Sequence, residues 1–149
     1  MPRYLLPCLG VACLAAACGS GGDDMEARLA TRRVALGLPS EPLAFADAMK
    51  QVQEEGYEGL LARVGSKRLR PDEVLDAALD LENLLSRADA ETAEARPPDP
   101  PLFDARLADA RGKATALARA VARGNSGDLE AKDLLASCVD CHVTFRIPR

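Results

Sequence analysis

Apolar positions recur along this chain at steps of three and four, in blocks separated by glycine and proline. The first block opens near Pro42 and closes at Val64, before Gly65-Ser66. Phe45, Met49, Val52, Gly56 and Leu60 form its stripe, widened by Tyr57, Leu61 and Val64. Such spacing predicts an amphipathic helix, because an α-helix returns to the same face about every 3.6 residues. Pro42 suits a first helical position. The second block runs from Pro71 to about Ala90. Asp72 and Glu73 favour its first turn, and Val74, Leu75, Ala78, Leu81 and Leu85 make its face. The third block, about Leu102 to Arg123, has the cleanest period, through Phe103, Leu107, Ala110, Ala114, Leu117 and Val121, and Gly124-Asn125 stops it. The fourth, about 128–146 with Ser126 or Asp128 as cap, shows Ala131, Leu134 or Leu135, Cys138, Cys141 or His142, and Phe145. Arg96-Pro97-Pro98-Asp99-Pro100-Pro101 reads as a stiff, non-helical crossing. No run reads as a strand. Four such helices with mostly short connections predict an all-α fold, an antiparallel four-helix bundle over 42–149.

Residues 1–17 do not belong to that pattern. One positive charge, Arg3, precedes an apolar run from Tyr4 to Ala17, too short for a permanent membrane span. The run ends Leu14-Ala15-Ala16-Ala17-Cys18, followed by Gly19-Ser20-Gly21-Gly22. Small residues before a cysteine and a glycine-serine spacer after it resemble the lipobox of bacterial lipoproteins. The resemblance implies cleavage before Cys18 and lipidation of that residue, with Cys13 a second choice and an ordinary secretory signal the alternative. The mature chain is expected in the periplasm, held to a membrane through Cys18. Ser20 stands where an aspartate would retain the protein at the inner membrane, which leans towards the outer membrane. Residues 18–41 then read as lipidated cysteine and tether. The pattern from Met25 to Leu38 is weak: it could form a short helix, and reads as a tether or an extra N-terminal turn.

Composition supports helices. The 149 residues contain no Trp, few other aromatics and 28% charged side chains. Formal charge is −4, and removing 1–17 takes away one base and no acid. An acidic chain without a basic patch or aromatic platform argues against nucleic acid as a partner.

The candidate chemistry sits near the C-terminus. Cys138-Val139-Asp140-Cys141-His142 reads C-x-x-C-H, the attachment motif of a c-type haem. Two thiols three positions apart can add across two vinyl groups, and the histidine that follows can ligate the iron. His142 is the only histidine in the chain, and the remaining cysteines, Cys8, Cys13 and Cys18, all lie in the leader region. Rival readings are a zinc site, a thioredoxin-like redox pair and a plain disulfide. Zinc lacks a fourth ligand. The redox pair wants a βαβ context and a helix start. A disulfide across i and i+3 closes a very short loop. In up-down-up-down order one end of the bundle gathers Phe45 and Met49, Leu84 and Leu85, and Phe103 and Leu107 around Cys138, Cys141 and His142, an apolar pocket of haem size.

Here a family resemblance becomes specific. The segment Leu134-Leu135-Ala136-Ser137-Cys138-Val139-Asp140-Cys141-His142-Val143-Thr144-Phe145-Arg146 resembles the class II c-type cytochromes, the cytochrome c′ and cytochrome c-556 family. The likeness is good over about 102–146 and topological over 42–90. It implies a four-helix bundle with one covalent haem c, thioethers at Cys138 and Cys141, and His142 as proximal iron ligand. Arg146 matches the family's basic residue four after the histidine, near the proximal haem face or a propionate. Members often pair through their first two helices, so a homodimer is one state the resemblance allows.

The sixth iron position decides function within that family. Methionine suits electron transfer, whereas an open site behind an apolar side chain binds nitric oxide or carbon monoxide. Met25 and Met49 are the methionines left after residue 17, and Met49 lies on the apolar face at the haem end. If Met49 only packs, Phe45 or Val52 covers the distal face. The leading expectation is a lipid-anchored cytochrome passing single electrons to a redox partner protein in the cell envelope. The alternatives are a gas-binding haem protein and a structural lipoprotein with haem as a staple. No acid-base constellation appears, so enzymatic activity is not expected.

Overall fold

The computed structural model describes residues 21–57, 60, 70–89 and 99–145. It is mostly helical, with five α-helices among the described residues. They are α1 (Gly21–Leu36), α2 (Phe45–Gln51), α3 (Pro71–Arg87), α4 (Pro100–Ala122) and α5 (Asp128–Phe145). Two residue pairs, β1 (Leu43–Ala44) and β2 (Ala88–Asp89), form a minimal parallel ladder, with Leu43 opposite Ala88 and Ala44 opposite Asp89. The expected leader with Cys18, and Leu61, Val64, Pro97, Pro98 and Arg146, lie outside the described residues.

The third and second blocks carry the core. Phe103, Leu107, Ala110, Ala114, Leu117 and Val121 are all buried on α4, and Val74, Ala78, Leu81 and Leu85 on α3. Leu79 and Leu117 are both fully buried, and the two helices pack along one another. Arg111 of α4 donates from Nε to the Leu85 carbonyl at 2.6 Å, a cation at the carbonyl end of α3. At its far end α4 stops in a Schellman turn, with Asn125 N–H bonding the Ala120 carbonyl and Gly124 N–H that of Val121, Gly124 taking φ +85°. Ser126 Oγ then accepts from Asp128 N–H at 3.4 Å, and α5 starts and packs back on α4.

Four expectations need correction. Residues 21–36 are not a tether: they form α1, which lies on α3 and α4. Leu29 is fully buried there, Arg32 grips both Asp76 oxygens at 2.6 Å, and Arg33 pairs with Glu82 at 2.7 Å. The first predicted helix starts at Phe45 instead of Pro42, because Leu43 and Ala44 are extended to meet β2. It also widens into a π-helical segment, Val52–Tyr57. That ladder is the strand pairing the sequence did not suggest; two residues a side give no alternation to read. Finally, Pro100 and Pro101 belong to the first turn of α4, where a missing N–H costs nothing. Asp99 caps that turn by accepting from Leu102 N–H at 3.1 Å.

Candidate thiol and imidazole site on α5

Cys138, Cys141 and His142 occupy the last two turns of α5, at i, i+3 and i+4, so the helical period alone puts them on one side. Ala131 and Leu134, earlier on the same side, are buried against the core, and Leu135 and Cys138 pack against it half-buried. The three donors are therefore held at the edge of the core, half in and half out of water. Both thiols are free. Ser137, which the sequence reading passed over, is buried and donates from Oγ to the Leu134 carbonyl at 2.7 Å.

Three aromatic rings close this end. Phe103 stands between Phe45 and Phe145, edge to face with each, at centroid distances of 5.1 and 5.2 Å. Thus α2, α4 and α5 meet where the motif lies. Met49, one turn beyond Phe45, is half-buried and packs against the core. Open grooves of about 620 and 660 Å³ run along α1, and neither is lined by Cys138, Cys141 or His142.

The electrostatics are set by burial and by two cations of α4. Burial pushes the Cys138 thiol up to about 11, helped by the neighbouring Cys141 sulfur and opposed by Lys113. Burial also raises Cys141, with Arg106 opposing. Both groups are therefore neutral thiols at neutral pH, slow in disulfide exchange. Lys113 is already paired with Asp109 at 2.8 Å. Arg106 has no ion pair among the described residues, and its Nε is buried without a hydrogen-bond partner. His142 Nδ1 is in the same condition. Two orphaned polar groups in one place cost about 1–3 kcal/mol each. They suit a bound group that brings an acceptor and a ligand site.

Arg106 was missed by sequence reading, although the signal existed. It lies three residues after Phe103 and four before Ala110, a charge on an otherwise apolar stripe. Among the described residues no three His, Cys, Asp or Glu side chains form a metal-holding group, and no helix is long and apolar enough to cross a membrane. No protein-family model, curated protein or solved structure matches the chain.

Proposed function

We propose that this chain is an exported, lipid-anchored c-type cytochrome of the class II type. It would be an antiparallel four-helix bundle carrying one haem c and single electrons. The observation that carries the reading is the convergence of two half-buried free thiols, a histidine with a buried nitrogen lacking a partner and an arginine with no ion pair among the described residues, beside an apolar aromatic cluster. The residues fit the group. Cys138 and Cys141 would each hold the haem through a thioether, the sulfur adding to one vinyl carbon and the thiol hydrogen to the other. His142 would ligate the iron through one ring nitrogen. Arg106 would donate to a haem propionate, and Phe45, Phe103 and Phe145 would supply apolar walls. When bound, the haem supplies a one-electron ferric–ferrous couple, whose potential rises in apolar surroundings.

The sixth ligand we assign to Met49. Met25, the other candidate, sits on α1 next to Glu26, whose carboxylate pairs with Arg119 near the far end of α4. The acidic chain favours a basic protein partner, an attraction that weakens with salt.

The test is an optical spectrum of purified protein, ferric and ferrous, with and without nitric oxide, repeated on Met49→Ala. A low-spin spectrum that turns high-spin in the variant supports electron transfer with Met49 as ligand. A high-spin spectrum that responds to gas and ignores the substitution makes the chain a gas-binding haem protein. Protein produced alongside haem-attachment machinery that still carries no covalent haem would sink both readings.

A further inference from the structure

We propose that α1 is a rigid strut that fixes the lipid anchor at the pole of the bundle opposite Cys138–His142. The haem site would then face water and serve protein carriers in the aqueous phase, not carriers dissolved in the bilayer. This inference rests on the cytochrome reading above and on lipidation at Cys18.

Covalent geometry limits the anchor first. Only three peptide steps separate Cys18 from Gly21, so the Cα of Cys18, the attachment point, lies at most about 11 Å from that of Gly21. The position of that start is set by a series of long-range contacts. Arg32 bonds Asp76 through Nε and a terminal nitrogen, both at 2.6 Å. Arg33 bonds Glu82 at 2.7 Å, and the other oxygen of Glu82 accepts from the Thr115 hydroxyl at 2.8 Å. Glu26 accepts from Arg119 Nε at 2.9 Å, and Leu29 is fully buried between these pairs. Beyond α1 the chain stays fastened, with Asn83 donating to the Pro39 carbonyl at 2.9 Å and Arg87 to that of Glu41 at 2.6 Å. A helix held at Glu26, Leu29, Arg32 and Arg33, and again just past its end, has no hinge in which to swing.

The order of these contacts gives the direction. Going backwards along α1 from Arg33 to Glu26 means going forwards along α4 from Thr115 to Arg119. Gly21, five residues further back, therefore points past the end of α4, towards the Gly124–Gly127 turn and the start of α5. The motif lies at the other pole. Phe145 meets Phe103 in the first turns of α4, and Cys141 sits by Arg106. The thirteen residues from Arg106 to Arg119 span about 20 Å of helix. Cys141 and His142 thus stand roughly two-thirds of a bilayer core's thickness away from the anchored pole.

The experiment uses the full-length, lipidated, haem-loaded protein in phosphatidylcholine–phosphatidylglycerol vesicles containing a lipid with a photoactivatable headgroup. Intact mass comes first: absence of the lipid or haem mass increments would mean the underlying reading had failed, independently of the strut. With both present, crosslinks mapped by peptide mass spectrometry are expected at the start of α1 and over Arg123–Leu129, and none over Cys138–Phe145. Crosslinks at Cys138–Phe145, or an even spread over both poles, would overturn the proposal. Arg32→Ala combined with Arg33→Ala, checked by circular dichroism for retained helix, is expected to spread the crosslinks. An unchanged map in that variant would show that α1 is not what sets the orientation.

Discussion

Gly127 offers a sharp test of how α5, and with it the C-x-x-C-H motif, is held in place. Its φ is +73°, and a Cβ built there would meet Leu117 Cδ1 at 2.7 Å and Val121 Cγ2 at 2.8 Å. Neither neighbour can give way easily, because Leu117 is fully buried and Val121 is β-branched and 5% exposed. Gly127→Ala therefore carries two costs. The left-handed backbone costs a non-glycine residue about 1–2 kcal/mol, and overpacking a filled core costs about 1–3 kcal/mol more. The expected loss is about 3 kcal/mol. Gly124 is the internal control. It has φ +85° and nothing within 4 Å of its added Cβ, so Gly124→Ala should cost only the backbone part, about 1 kcal/mol. Urea unfolding followed by far-ultraviolet circular dichroism measures both variants against the parent at equal slope. If Gly127→Ala costs no more than Gly124→Ala, the close packing of the α4–α5 turn is not what positions α5. Because the Gly127 carbonyl accepts from Ala131 N–H at 2.8 Å, displacing the turn also shifts the first bond of the helix bearing the thiols.

Four other variants and one titration follow from the same contacts. Leu79→Ala, at a fully buried position of α3, is expected to cost about 2–5 kcal/mol in the same urea assay. Arg106→Leu removes the cation beside Cys141 and should lower the reduction potential of the haem-loaded protein, measured by redox titration. Arg106→Lys should restore most of it, whereas a potential unchanged in Arg106→Leu would take Arg106 away from the haem. Cys138→Ala with Cys141→Ala should abolish the covalent haem mass, and a haem that stays attached would refute the thioether assignment. In the haem-free chain the Cys138 thiol should titrate at about 11 instead of 9.0, visible as thiolate ultraviolet absorbance. Its proton is held more tightly in the folded state, so its contribution to stability is intact below pH 9 and is lost as pH rises towards 11.

The parts of the fold that could be read in advance are those whose signal is local. All six stripe positions of α4 are buried, and α3 and α5 begin within a residue of where their proline and acidic starts put them. The start of α4 was hidden by treating four prolines as one non-helical run. The first turn of a helix has no use for its N–H groups, so Pro100 and Pro101 fit there. Residues 21–36 carry many charges and only a weak apolar pattern, with Leu29 their one fully buried leucine. Those charges find partners 44 to 93 residues away in sequence, as Arg32 does with Asp76 and Arg119 with Glu26. Arg106 was passed over for a related reason: a charge within an apolar stripe gains meaning only once the neighbouring helix is known.

By itself the sequence determined that Cys138, Cys141 and His142 share one side of a helix, because the 3.6-residue turn is a property of the backbone and needs no partner. It also determined where helices could begin and end, since proline and glycine act on their own dihedral angles. Only the tertiary structure decided which side chains those donors meet. Phe103 between Phe45 and Phe145, Arg106 and Lys113 facing the two thiols, and α1 clamped across α3 and α4 all join residues far apart in the chain. Such contacts form only after the helices pack, when burial fixes which charges lose water and must find a partner.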